Sequence, residues 1–383
     1  NYGIGAQYMI NKGNYITADC YADHFSSSYC FFKDNKTYNG KAGEEQVRKR
    51  TRNHNLSIKG IFKLGNRHKL SVGTEYIVDV LKSQTDNIAK EDAYTLALFA
   101  QDEIKLLRNL QALIGVRYIY HENFKNHATP NVALMYKPGK FNFRASYAAG
   151  FRTPTLSELY ATDIAKKNDR LTIGNLDLKP EKNNYFSLSA EYVHERFSVS
   201  VNAFYNNIRD MIDYNTIATG DKAMEQYGHK EVRQRDNIAE AKVHGINVSA
   251  NAYLGAGFNL SGGYTHLNTQ DVELEQPIDK SIKNAYNINA QWAHSWKIYR
   301  LNINLNGRFN SKRFSKSYGY APEYQLWDLN TRHSFNLKSV IIEPGCGMEN
   351  LFDYMDDRPY NSNYATLTPG RSFYISLSLK FKS

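Results

Sequence analysis

The 383-residue chain is long enough for two or three soluble domains, yet no linker divides it and helical periodicity is almost absent. Its formal charge of +10 comes from Lys and Arg dispersed along the chain, without the clustered basic module of a nucleic-acid protein, so nucleic acid is not expected as a partner. No apolar run approaches the ~20 residues of a spanning helix. The opening Asn1-Tyr2-Gly3-Ile4 has neither a basic start nor a cleavage site, so the expectation is a removed leader or a start within a longer protein.

Alternation of apolar and polar residues predicts strands over 3–11 and 15–25, joined by a tight turn at Lys12-Gly13-Asn14. A polar stretch, 33–46, leads to a strand over 47–64, which turns at Gly65-Asn66-Arg67 into 70–78. A link over 83–91 precedes strands 94–107 and 110–121, and a link over 121–129 precedes 131–136 and 141–151. The central link runs from 152 to about 182 and is followed by the strand pair 185–193 and 197–206. After a link over 213–231 come 232–254 and 258–269, then 282–296 and 298–310, then 323–337 and 340–351. A last link, 352–370, leads to a final strand over 371–382.

That makes about 17 strands whose connections alternate between tight turns and links of roughly 6 to 30 residues. In the final strand Phe373, Ile375, Leu377, Leu379 and Phe381 share one face, while Tyr374, Ser376, Ser378 and Lys380 share the other. Phe197, Val199, Val201, Ala203 and Tyr205 oppose a mostly polar face of Ser198, Ser200, Asn202 and Phe204. Tyrosine, at 29 residues against 19 Phe and 3 Trp, suits strands and also the lipid–water boundary, where one end of the ring stays wet. The fold class expected is an all-β transmembrane antiparallel barrel, with lipid outside, water inside, and strands long enough to project above the membrane. On strand count alone a passive porin, which closes with about 16 to 18 strands, is the alternative, and a surface adhesin is the third reading.

Gly150-Phe151-Arg152-Thr153-Pro154-Thr155-Leu156-Ser157-Glu158-Leu159-Tyr160 resembles a box of the TonB-dependent outer-membrane receptors for haem, cobalamin and siderophores. Gly174-Asn175-Leu176-Asp177-Leu178-Lys179-Pro180-Glu181 resembles that family's second box, and the aromatic-ended last strand is shared with most outer-membrane barrels. The resemblance implies a multi-pass outer-membrane barrel of about 22 strands, preceded by a plug. It also implies uptake of a scarce metal chelate, driven through the plug by the TonB-ExbB-ExbD system. The chelate would be met free outside the cell or on a surface lipoprotein, and the barrel would be surrounded by outer-membrane lipids. Residues 1–383 would then be the C-terminal portion of the barrel, with the plug and about five strands absent from this chain. No permanently bound cofactor is implied.

Candidate ligand-facing residues in the boxes are Arg152, Glu158, Tyr160 and Asn175, with packing of the loop on the barrel rim as a compatible role. Haem receptors of this type often carry a histidine between the boxes, and 152–174 holds none. An axial ligand would have to come from His24, His121, His127 or His229, near predicted outer rims and loops. Asp353, Asp356 and Asp357, close together in the last link, are candidate oxygen ligands for Ca²⁺. Cys20 and Cys30 are open to pairing or to remaining free. Neither G-x-S-x-G nor H-E-x-x-H occurs, so no enzyme is expected.

Overall fold

The structure is a computed structural model and describes residues 1–36, 39–165, 169–315, 319–356 and 368–382. The chain divides into two compact units, Asn1–Leu134 with Ser146–Tyr185 and Asn207–Glu240, and 135–145 with 186–206 and 241–383. In chain order the strands are β1 (Tyr2–Asn11), β2 (Asn14–Cys30), β3 (Glu45–Leu64), β4 (His68–Ser83), β5 (Ile88–Leu107), β6 (Leu110–His121), β7 (Lys125–Tyr136) and β8 (Phe141–Arg152). Helix α1 (Leu156–Tyr160), β9 (Thr162–Ala165) and β10 (Arg170–Ile173) follow, then β11 (Glu181–Val193), β12 (Phe197–Thr219), α2 (Gly220–Tyr227) and β13 (Glu231–Gly255). The rest are β14 (Phe258–Asp271), β15 (Asn284–Trp296), β16 (Tyr299–Asn310), β17 (Arg313–Ser315), β18 (Gly319–Ala321), β19 (Tyr324–Asn336), β20 (Val340–Glu349) and β21 (Ser372–Phe381). Among the described residues seventeen strands have ten residues or more, as the alternation predicts; the four short ones lie inside links.

In the first unit β1 to β6 form a continuous antiparallel ladder whose register separates two faces. One row reads Ile4, Cys20, Leu56, Tyr76, Leu96, Tyr120, and all but the half-buried Tyr120 are exposed although mostly apolar, with Ile4 at 78 % and Leu56 at 48 %. The row beside it, on the opposite face, reads Gly5, Asp19, Ser57, Glu75, Ala97, Ile119. An exposed apolar face backed by a polar one is the pattern of a strand between lipid and water.

The second unit repeats it from β13 through β16 to β19, β20 and β21. Leu260, Ala290, Leu305, Leu329, Met348 and Phe373 make one row. Asn259, Gln291, Asn304, Asn330, Gly347 and Tyr374 make the next, on the other face. At the short-turn end, rings gather on the apolar face: Trp296 stacks on Tyr299 at 5.5 Å and Tyr299 meets Phe335 at 5.0 Å. Such a belt suits a membrane interface, where a ring has one apolar and one wet side.

Two expected links are much shorter than predicted. Only 84–87 separate β4 from β5, and only 122–124 separate β6 from β7. Lys90, Glu91 and Asp92 belong to β5 and not to a loop. At 20 residues β5 is twice the ~10 needed to span. Beyond the membrane both faces of a strand are wet, so polarity there no longer marks the end of a strand. Cys20 and Cys30 are both free and sit on one strand, ten residues and therefore ~33 Å apart, so they do not bridge.

Candidate functional site

The two boxes fold against each other. Strand β8 ends at Arg152, and Pro154, lacking an N–H, cannot extend its ladder. Thr155 then caps α1: its hydroxyl accepts from the Glu158 N–H at 3.2 Å, and the Glu158 carboxylate accepts from the Thr155 N–H at 2.8 Å. This single turn of helix is amphipathic. Leu156 is buried with Leu81, Ile88 and Ala93 on the polar-bearing face of β4 and β5, and Leu159 is buried with Leu178 and Ile212. Tyr160 packs against both groups.

The second box closes onto the first. The Gly174 N–H donates to the Ala161 carbonyl at 2.6 Å, and the Asn175 N–H to the Glu158 carbonyl at 3.0 Å. The Asn175 side chain accepts from the Asp177 N–H at 2.9 Å, which shapes the turn that delivers Leu178 to its buried position. Lys179 is held on both sides by one side chain: its N–H donates to Asn237 Oδ1 at 2.7 Å, and Asn237 Nδ2 donates back to its carbonyl at 2.8 Å. Asn237 also donates to the Asp210 carbonyl at 2.7 Å, which ties the box to β12 and β13.

The electrostatic centre is Arg152. Its guanidinium donates to both oxygens of Glu181, at 2.7 and 2.6 Å, and to Glu158 at 3.0 Å. Glu181, the first residue of β11, also accepts from the Ile212 N–H at 2.8 Å. Burial alone would raise the Glu158 carboxyl, but hydrogen bonds from Arg152 and Thr155 outweigh it and hold it below its ordinary value. Burial, then the charges of Glu91 and Glu122, push the Tyr160 hydroxyl up. Arg152 and Glu158 are therefore engaged with each other, in a clamp completed by Glu181. Glu181 and Asn237 escaped the sequence reading: the first stood in the quoted box, while an Asn some 60 positions downstream carried no local signal.

The four histidines do not form a set. His121 and His127 both flank Phe124: His121 is buried and its Nδ1 accepts from the Asn123 N–H at 3.1 Å, while His127 lies 3.0 Å from the Phe124 carbonyl and stacks on Phe151 at 4.3 Å. His24 stands on the face that carries Cys20 and Leu56, edge-on to Tyr2 and His54, away from the clamp's face. His229 is paired with Asp169 at 2.9 Å after α2. Asp353 accepts from the Arg371 N–H at 2.6 Å, Asp356 is buried, and Asp357 lies outside the described residues. Among the described residues no three His, Cys, Asp or Glu side chains are grouped to hold a metal.

In the second unit an open recess of about 500 Å³ on the polar face is lined by Asn289, Gln291, Asn304, Asn330, Arg332 and Tyr374, among others. Asn289 donates to Asn304 at 2.7 Å, and the Tyr374 hydroxyl donates to Asn330 at 2.7 Å. This wall is mostly neutral amides and hydroxyls with the one cation Arg332, and it offers many hydrogen bonds to a polar solute.

Solved structures with the same fold include siderophore receptors and an iron transporter. A point mutant of the ferric enterobactin receptor of Pseudomonas aeruginosa superposes with a TM-score of 0.80 at 18% identity, covering 100% of this chain and 61% of that one. The siderophore receptor PirA of Acinetobacter baumannii gives 0.73 at 16% identity, over 97% of this chain and 60% of that one. The FrpB iron transporter of Neisseria meningitidis gives 0.72 at 13% identity, over 98% and 61%. The chain thus spans about three-fifths of the length of these proteins. Residues 1–351 match the family described as TonB dependent receptor-like, beta-barrel. The chain belongs to that family of transport receptors, and its fold is the family's antiparallel β-barrel.

Proposed function

We propose that this chain forms the barrel of an outer-membrane receptor that takes up a scarce metal chelate with energy from the TonB system, and that the chelate is a ferric siderophore. The observation that carries the reading is the inward fold of the segment between β8 and β11. It does not extend away from the strands: Leu156 is buried on the polar-bearing face of β4 and β5, and the Arg152–Glu158–Glu181 clamp fixes both its ends. A fixed, inward-turned segment narrows the path for solutes and gives a bulky ligand a surface to meet. Strands and tight turns alone would suffice for a passive pore.

The siderophore assignment draws on three observations. The similar structures include siderophore receptors and an iron transporter. The inner rows supply Asn, Gln, Tyr and Arg, which suit a large anionic chelate able to stack and to accept hydrogen bonds. Of the four candidate histidines His24 faces away from the clamp, and His121, His127 and His229 are each held by a local neighbour, so nothing in their arrangement favours haem over a siderophore. Iron brought in as the chelate is cargo, and no resident metal is part of the proposal.

The test is binding and uptake by the whole receptor, comparing radiolabelled ferric siderophores, haem and cobalamin in cells with and without TonB. The expected result is saturable ferric-siderophore uptake that disappears without TonB. Uptake independent of TonB would return the chain to a passive pore, and selective uptake of haem or cobalamin would replace the ligand class.

A further inference from the structure

On the first unit's apolar-bearing face, the rows above the tyrosines change character. Tyr76 and Tyr94 lie 5.9 Å apart and Tyr94 and Tyr120 lie 6.1 Å apart, forming a belt. On the same face His54 pairs with Ala22 and Val78, Arg52 with His24 and Val80, and Arg50 with Ser26 and Lys82. Each row is two residues, or ~7 Å, further along the strand. The cations therefore begin about 7 Å beyond the His54 row, whose β5 member is Tyr94, and continue for another ~7 Å.

Two features of this patch are unusual for a solvated surface. Arg50 and Lys82 are direct cross-strand partners on one face, an arrangement of like charges that destabilises a sheet unless something neutralises it. Among the described residues Arg50, Arg52 and Lys82 have no acidic partner, whereas nearby Lys90 is paired with Asp92 at 3.0 Å and Lys49, on the other face, with Asp86 at 3.4 Å. At the strand ends Arg50 and Lys82 border an open recess of about 400 Å³ that is also lined by Lys49, Ser83 and Ile88 from the other face. Asp92, the acid on this face of the neighbouring β5, is already engaged.

We infer that Arg50, Arg52 and Lys82 bind the phosphate groups of an anionic lipid in the leaflet that borders the upper strands. A tyrosine belt marks the depth at which apolar chains give way to headgroups. Phosphates therefore lie at or just beyond it, at the height of these three cations. Two guanidiniums present planar forks suited to phosphate oxygens, and the lysine adds a point charge. The phosphate would neutralise the Arg50–Lys82 repulsion, so lipid binding and order of the upper β3–β4 ladder are coupled. This inference rests on the outer-membrane placement proposed above.

The test uses the whole receptor in nanodiscs, with diphosphoryl lipid A, its dephosphorylated form and inorganic phosphate as probes, read by native mass spectrometry. The expected result is retention of diphosphoryl lipid A and at least tenfold weaker binding in the triple variant Arg50→Gln, Arg52→Gln, Lys82→Gln. The variant Arg50→Lys, Arg52→Lys should keep most of the binding, which separates charge from fold. Equal retention of the dephosphorylated lipid, or binding by the triple variant within twofold of wild type, overturns the inference. Displacement of the lipid by millimolar inorganic phosphate also overturns it, by assigning the site to a soluble anion. Cell fractionation is read separately: a wild-type protein absent from the outer membrane would refute the placement whatever the nanodisc result.

Discussion

Gly174 lies so close to Leu159 that a Cβ on the glycine would stand 2.5 Å from the leucine's carbonyl oxygen. One box thus needs a glycine because the helix of the other ends against it. Gly174→Ala should push the two boxes apart, at a cost of about 1–3 kcal/mol to the local fold. Limited proteolysis checks it: cleavage within 153–182 should speed up several-fold while the strands stay resistant. An unchanged cleavage rate would mean that the two boxes are not packed as described.

The Glu158 carboxyl is held below its ordinary value, which gives the clamp a pH dependence of known sign. A depressed carboxyl contributes stability that is full above its ordinary value of about 4.5 and is lost as pH falls through the folded one. Order in 153–162 should be constant from pH 7 to 5 and fail only in more acid solution. With Arg152→Ala the burial of Glu158 is no longer outweighed, so the loss should move to higher pH. Hydrogen exchange of 153–162, corrected for intrinsic rates, reads this directly. A transition at the same pH in both proteins would show that Arg152 does not set the carboxyl's affinity for protons.

Much of this architecture was legible from alternation because a barrel strand meets two solvents. Rows such as Leu305, Leu329 and Phe373 against Asn304, Asn330 and Tyr374 print that contrast into the sequence two residues at a time. The signal faded where both sides are wet. Lys90 and Glu91 read as a link although β5 includes them, and β12 runs to Thr219, past the expected link boundary at 213. The boxes were visible as motifs, but their clamp was not. A carboxylate at 181 finds Arg152 only through the course of the intervening chain, and Asn237 finds Lys179 only through the placement of β13. Facing direction was also hidden for the histidines, since His24 turns outward by strand parity and not by composition.

Asn237 makes three hydrogen bonds that hold the second box, two of them to both ends of Lys179. Asn237→Ala leaves the Lys179 N–H without that acceptor and should cost about 1–3 kcal/mol of local stability. The expected outcome is faster hydrogen exchange at 178–181 and weaker chelate binding, with the melting temperature of the strands nearly unchanged. Exchange at 178–181 that matches wild type would remove Asn237 from the site.

His24→Ala should leave chelate affinity within twofold of wild type. Its ring stands edge-on to Tyr2 and His54 on the face that carries Cys20 and Leu56, opposite the face on which Leu156 is buried. Titration of ferric siderophore and of haem into both proteins checks this. A tenfold loss for either ligand would place the binding path on the wrong side of β2.

In the first unit the antiparallel order puts the tight turns at Gly65 and Arg108 at one end of the strands, and the links holding Asn175 and Asp221 at the other. If the short turns face the periplasm, a membrane-impermeant thiol reagent on intact cells should label cysteines placed at Asn175 and Asp221 but not at Gly65 or Arg108. The experiment needs Cys20, Cys30 and Cys346 replaced first, because all three are free and exposed and would give background. Cys20 also offers an internal check. It faces the same way as Leu56, so in the native sequence a lipid-soluble maleimide should reach it faster than a charged one. Labelling of both ends in intact cells would refute the orientation. Faster reaction of Cys20 with the charged reagent would refute the assignment of lipid to that face.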